Sequence, residues 1–210
     1  MRFDKFLSAL AVAGLVGLIA IEARSDTMIF MDDFNSENTG DVKTRYRNYR
    51  SFSNWDVTSG AVDLLGHGEY DFLPGNGLYV DMQNIASRGG GTLELHGGLD
   101  LEPGTYDLKF DLGGSQLDSG EPRELNVLFG NVSERFSVPF DSGFVTQTLG
   151  LDLTSFTSGV ELIFQQNSTN TKRGMILDNV MVTVRLPEPA TLGMMITGGL
   201  LALRRHRVMS

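Results

Sequence analysis

The chain has 210 residues, 25 of them glycine, with 9% aromatic and 20% charged residues, a balance that suits one turn-rich β domain with targeting segments and leaves little room for long helices. There is no cysteine, which excludes disulfides, thiolate metal sites and cysteine-dependent catalysis. The formal charge is −9; residues 1–23 contribute 0 and residues 187–210 contribute +2, so the body carries −11 and repels nucleic acid and anionic lipid alike.

In chain order, the first 23 residues combine Arg2 and Lys5 with an apolar run from Phe6 to Ile21, the shape of a secretory signal peptide read by Sec-type export machinery. Ala20 and Ala23 are both candidate last residues of that leader. The competing reading is an uncleaved anchor or a buried helix. The next distinctive stretch, VKTRYRNYRSFSNW over 42–55, interleaves Arg45, Arg47 and Arg50 with Tyr46, Tyr49 and Trp55. Such guanidinium groups can pair with uronate, sulfate or phosphate while tyrosine faces stack on sugar rings, so this segment is a candidate anionic-polysaccharide site. The plainer alternative is an exposed loop leading into a strand whose Trp55 is core.

From there to Leu186 the dominant pattern is period-two alternation broken by turn residues. In GTYDLKFDLGG, Tyr106, Leu108, Phe110 and Leu112 share one face and Asp107, Lys109 and Asp111 the other. GVELIFQQ aligns Val160, Leu162 and Phe164, and DNVMVTVRL aligns Val180, Val182 and Val184. GAVDLL, GLYVDM, GTLELH, ELNVLFG and FVTQTLGLDL are shorter candidates, separated by turn chemistry such as PGNG, SRGGG and EPG. About ten strands, no fixed-period repeat and no amphipathic helix predict an all-β, antiparallel β-sandwich of jelly-roll-like form over 24–186. Flanking it, a signal helix at the start and a short transmembrane helix at the end are expected.

DDFNSEN near the start, NWDVTSGAVDLLG after it and RGMILDNVMVTV at the end resemble jelly-roll domains of the galactose-binding-like and carbohydrate-binding-module type. That resemblance implies that a strand near the start lies beside the last strand and shares a structural Ca2+ with it, at Asp33 and Asp178 with Asp32 adjacent. Two separated carboxylates do not by themselves make a calcium site. The alternative is that Asp178 and Asn179 cap a turn ahead of the final strand.

The chain ends with Pro187, Glu188 and Pro189, an apolar run from Ala190 to Leu203, and Arg204, Arg205 and Arg207. Those 14 apolar residues make a helix of about 21 Å, short of the ~30 Å hydrocarbon core, so the tail spans a membrane only marginally. The arginines favour the cytoplasmic side and the prolines hold Glu188 on stiff, extended backbone just outside. Motif, short span, basic end and chain terminus together resemble the PEP-CTERM sorting signal of Gram-negative bacteria; Leu186 stands where valine is common, and Met194 and Met195 replace the usual leucine and glycine. The resemblance implies a transient inner-membrane anchor, cleavage near the motif by an exosortase, and a place on the cell surface or in an exopolysaccharide matrix.

No catalytic constellation emerges. G-x-S-x-G and H-E-x-x-H are absent, Gly89 to Gly91 do not continue into a nucleotide-binding motif, and His67 beside Glu69 sits in a glycine-flanked turn. The sequence therefore points to an exported, non-catalytic surface or matrix protein. A polysaccharide hydrolase or lyase on the same fold, or a permanently tail-anchored envelope protein, are the alternatives.

Overall fold

The computed structural model describes residues 26–37, 46–66, 68–83, 89–117, 123–167 and 174–185, all within the compact unit Ser25–Pro187. The leader 1–23, the tail with Pro187, Glu188, Pro189, Arg204, Arg205 and Arg207, and also Arg45 and His67, lie outside the described residues. Among the described residues no helix is long and apolar enough to cross a membrane.

The described residues form thirteen strands: β1 Asp26–Asp32, β2 Trp55–Ser59, β3 Asp63–Leu65, β4 Tyr79–Asp81, β5 Thr92–Leu95, β6 Leu99–Leu101, β7 Gly104–Gly113, β8 Glu124–Phe129, β9 Val132–Phe136, β10 Val145–Leu153, β11 Thr157–Val160, β12 Leu162–Asn167 and β13 Ile176–Arg185. One 3-10 turn covers Gly68–Tyr70. Pairing is antiparallel throughout. A six-stranded sheet runs β10-β7-β13-β4-β3 with β1 also on β13, a five-stranded sheet runs β2-β5-β12-β8-β9, and β11 pairs with β6.

The alternation read in the sequence places the core. Leu108, Phe110, Leu112, Val180 and Val182 from the first sheet meet Leu93, Leu125, Val127 and Phe164 from the second, all fully buried. Phe110 bridges the layers, with its ring edge-on to Phe164 at 5.2 Å and to Phe136 at 5.1 Å. Trp55 is only 2% exposed and stands 5.7 Å from Phe164, as the alternative reading of its segment required. GVELIFQQ departs from the single strand expected. It breaks at Glu161, so Val160 closes the small β11–β6 ribbon while Leu162 and Phe164 join the five-stranded sheet. The two-residue turn Gly130–Asn131 between β8 and β9 needs a positive φ at its first position, and Gly130 supplies it at 59°.

β13 organises the six-stranded sheet. One edge pairs with β7 from Ile176 to Arg185. The other edge takes β4 at Ile176 and Leu177, then changes partner to β1 from Val180 onward. The strand near the start and the last strand thus lie together.

Candidate functional site

At the point where β13 changes partner, it carries a bulge. Asp178 faces Asp111 of β7, but the next pair is Met181 with Lys109, so β13 spends one extra residue there, and Asn179 takes φ 50°. Asp178 and Asn179 are therefore interior to the final strand and do not cap a turn before it. The bulge turns Asn179 toward β7, where its Nδ2 donates to Asp111 Oδ2 at 2.9 Å and its backbone N–H donates to Asp178 Oδ1 at 2.7 Å. Thr146 Oγ1 donates to the other oxygen of Asp111 at 2.6 Å.

β1 delivers Asp32 and Asp33 to the same junction. Asp32 is consumed structurally: Oδ1 accepts Phe34 N–H at 2.8 Å, and Oδ2 accepts Trp55 Nε1 at 2.8 Å and Asn54 Nδ2 at 3.0 Å. Among the described residues, Asp33 accepts a local hydrogen bond from Asn35 N–H at 3.1 Å. Asp178 is 1% exposed. Burial pushes its carboxyl up to about 7; the Asn179 N–H opposes the shift and the charges of Asp111, Asp33 and Asp32 add to it. Asp33 and Asp178, paired in the sequence reading, are thus within electrostatic reach of each other. The donors are all hard oxygens, which fits calcium. Among the described residues no group of three or more His, Cys, Asp or Glu side chains is placed to hold a metal. A calcium ion here needs backbone carbonyls and water to complete its shell.

The basic-aromatic segment is held against the body. Tyr46 exchanges backbone hydrogen bonds with Leu64, and its ring packs edge-on to Tyr49 at 5.9 Å. Tyr49 in turn lies 4.6 Å from Phe52, with its hydroxyl 3.2 Å from Glu37 Oε2; burial first, then Glu37, raises its pKa to about 12. Arg50 donates to the carbonyls of Val57 at 3.0 Å and Gly60 at 2.8 Å, tying this segment to the β2 end. Arg47 is exposed.

A different surface offers a groove. On the outer face of the five-stranded sheet, Thr92, Gln165 and Asn126 form one cross-strand row from β5 through β12 to β8. Ile163, Leu128 and Ser133 form the next, from β12 through β8 to β9. These six side chains line a groove of about 300 Å³ with amides and hydroxyls around two aliphatic residues. Asn126 Oδ1 is buried there with no hydrogen-bond partner among the described residues. Beyond the groove the face turns acidic: Glu94 pairs across to Asp56, whose carboxylate holds His96 Nδ1 at 2.8 Å, and Arg135 beside Asn126 is engaged by Glu124 at 3.4 Å. Sequence reading passed over this face because its residues alternate outward. The available signal was that Leu128 and Ile163 are apolar at outward positions, which makes β8 and β12 apolar on both faces.

Fold and groove together define an all-β antiparallel sandwich with a polar-walled surface cleft. No family model matches the chain, and no curated protein matches it. Among solved structures, the chain is similar to the CBM22-1 xylan-binding domain of Xyn10C from Paenibacillus barcinonensis, at 13% identity over 79% of this chain and 99% of that one, with a TM-score of 0.45. It is also similar to a Stig cyclase, Fisc, from Fischerella sp. TAU, at 19% identity over 78% and 100% of the two chains, with a TM-score of 0.48. A third is the C-terminal CBM6 of LamC from Zobellia galactanivorans, at 14% identity over 66% and 97%, with a TM-score of 0.38. A binding module and a cyclase stand side by side at these low values, so the likenesses carry nothing about activity.

Proposed function

We propose that this protein is an exported, non-catalytic component of the cell surface or extracellular matrix that binds exopolysaccharide through the groove on its five-stranded sheet. The groove carries the binding reading. Its amides and hydroxyls match sugar hydroxyls, and Leu128 and Ile163 supply apolar surface for a sugar face. Export rests on the leader, and surface delivery rests on the ordered tail: Pro187, Glu188 and Pro189, the short apolar run and the terminal arginines. In this reading a Sec-type machinery carries the chain across, the tail holds it at the inner membrane, and an exosortase releases it. Calcium at Asp33 and Asp178, completed by backbone carbonyls, would be structural and bind no substrate.

Affinity electrophoresis of the full chain through gels containing soluble xylan, β-glucan or alginate tests the groove. Retardation by at least one of them, weakened about tenfold or more by Asn126→Ala with Gln165→Ala and unchanged by Arg47→Ala, is the expected result. Retardation lost with Arg47→Ala and kept in the groove variant would move the site to the basic-aromatic segment. Release of new reducing ends from any of the polymers would replace the binding reading with a hydrolase.

A further inference from the structure

The two ends of the described sandwich are hydrogen-bonded neighbours. Asp26, the first residue of β1, pairs with Arg185, the last of β13, and Arg185 pairs on its other side with Thr105 near the start of β7, itself opposite Asp152 of β10. Asp26 and Arg185, the described residues nearest the two terminal apolar runs in sequence, therefore lie at one end of the sandwich. Five chain steps separate Arg185 from Ala190 and five separate Ile21 from Asp26. Five steps of extended chain reach at most about 17 Å, so in the tail-anchor reading this is the end of the sandwich tethered nearest the bilayer.

The same end is apolar where it is most prominent. Phe156 is 54% exposed, three residues beyond Leu153, which pairs with Gly104 at the extremity of the sheet. Met28, 58% exposed, lies two residues in from Asp26, with Ile29 and Met31 exposed farther along the same edge strand. A solvated monomer gains nothing from exposing Met28 and Phe156 at its tethered end, one on β1 and one beyond β10, whereas a headgroup interface accepts aromatic and thioether groups readily. Asp26, Asp152 and Glu102 lie at this end, and its cation, Arg185, is already paired with Asp107 at 2.7 Å, so the surface it fits is zwitterionic and not anionic. We propose that, while the tail is attached, the sandwich rests on zwitterionic phospholipid through this end, with Phe156 and Met28 as the lipid contacts. The inference rests on the tail-anchor reading. It adds an orientation that points the strands of the six-stranded sheet away from the membrane plane and leaves the sheet faces, including the one that carries the groove, turned sideways to it.

The absence of cysteine makes the test clean, because one introduced cysteine is the sole labelling site. Full-length Phe156→Cys, Met28→Cys and Phe140→Cys variants, each labelled with a nitrobenzoxadiazole fluorophore, are reconstituted into phosphatidylcholine vesicles with and without spin-labelled lipid. Phe140 is exposed at the opposite end, near the far terminus of β7, and serves as the reference. The expected result is flotation of all three with the vesicles and quenching at least threefold stronger at positions 156 and 28 than at 140. Flotation with equal quenching at the three positions, or stronger quenching at 140, overturns the docking surface and leaves the anchor reading intact. Failure of the chain to float overturns the anchor reading and this inference with it.

Discussion

Asp178 concentrates the chemistry of the chain at one side chain. A carboxyl buried to 1% exposure and facing three other acids is held up to about 7, against 3.8 in its unperturbed state. A raised folded pKa means that the contribution of this group to stability is fully present below about pH 4 and is lost as pH rises through about 7, because ionisation in the folded state then has to be paid against burial. In chelator, the protein is expected to lose on the order of a few kcal/mol from this source between pH 4 and pH 7.5, measured by denaturant unfolding at a series of pH values. Calcium reverses the sense, since it binds the ionised form. Excess calcium at pH 7.5 is expected to raise Tm by about 5–10 °C, and Asp178→Asn is expected to abolish that rise while flattening the pH dependence in chelator. An unchanged Tm on chelation in the wild-type chain would count against Asp33 and Asp178 as a shared site.

At the scale of the strand, β12 works on both faces. Inward, Phe164 is fully buried between Trp55 and Phe110 and links the layers. Phe164→Ala is expected to cost about 3–5 kcal/mol in urea unfolding, since a ring-sized cavity between two sheets cannot collapse; a loss below 1 kcal/mol would mean that the aromatic bridge is not a principal contact. Outward, Ile163 and Gln165 form part of the groove, so the same strand supplies stability and the proposed binding surface. The inward half was legible in the sequence. β7 alternates cleanly, as does β13 beyond its bulge, and the burial of Trp55 was anticipated, because a strand half-buried against a core writes its period into its residues. β6 and β11 are too short to show a period, and β9 carries Glu134 at an inward position on the sheet edge, where water reaches it. The groove was illegible for a different reason. It is built from one or two residues on each of four strands, and only the register, with Gln165 opposite both Thr92 and Asn126, brings them together. Asp33 and Asp178 were paired through resemblance, while the contribution of Asp111 and the bulge at Asn179 depend on the β13–β7 register, which no local pattern encodes.

For the molecule as a whole, charge and chain ends set the account. The body is strongly acidic, and the β1–β13 pairing places Asp26 and Arg185, the first and last described residues, side by side at one end of the sandwich. The tail's apolar run is shorter than a bilayer core, and its proline-flanked Glu188 stands three residues beyond Arg185, the last described strand position. Its removal leaves every described strand intact, so the released sandwich is expected to unfold at the same denaturant concentration as the full chain. The most direct test of the whole account is intact-mass spectrometry of the native protein recovered from its own host. A mass that lacks the leader and everything beyond the Pro187–Pro189 region is the predicted result. A mass that retains Arg204, Arg205 and Arg207, on protein still embedded in the membrane, would contradict it.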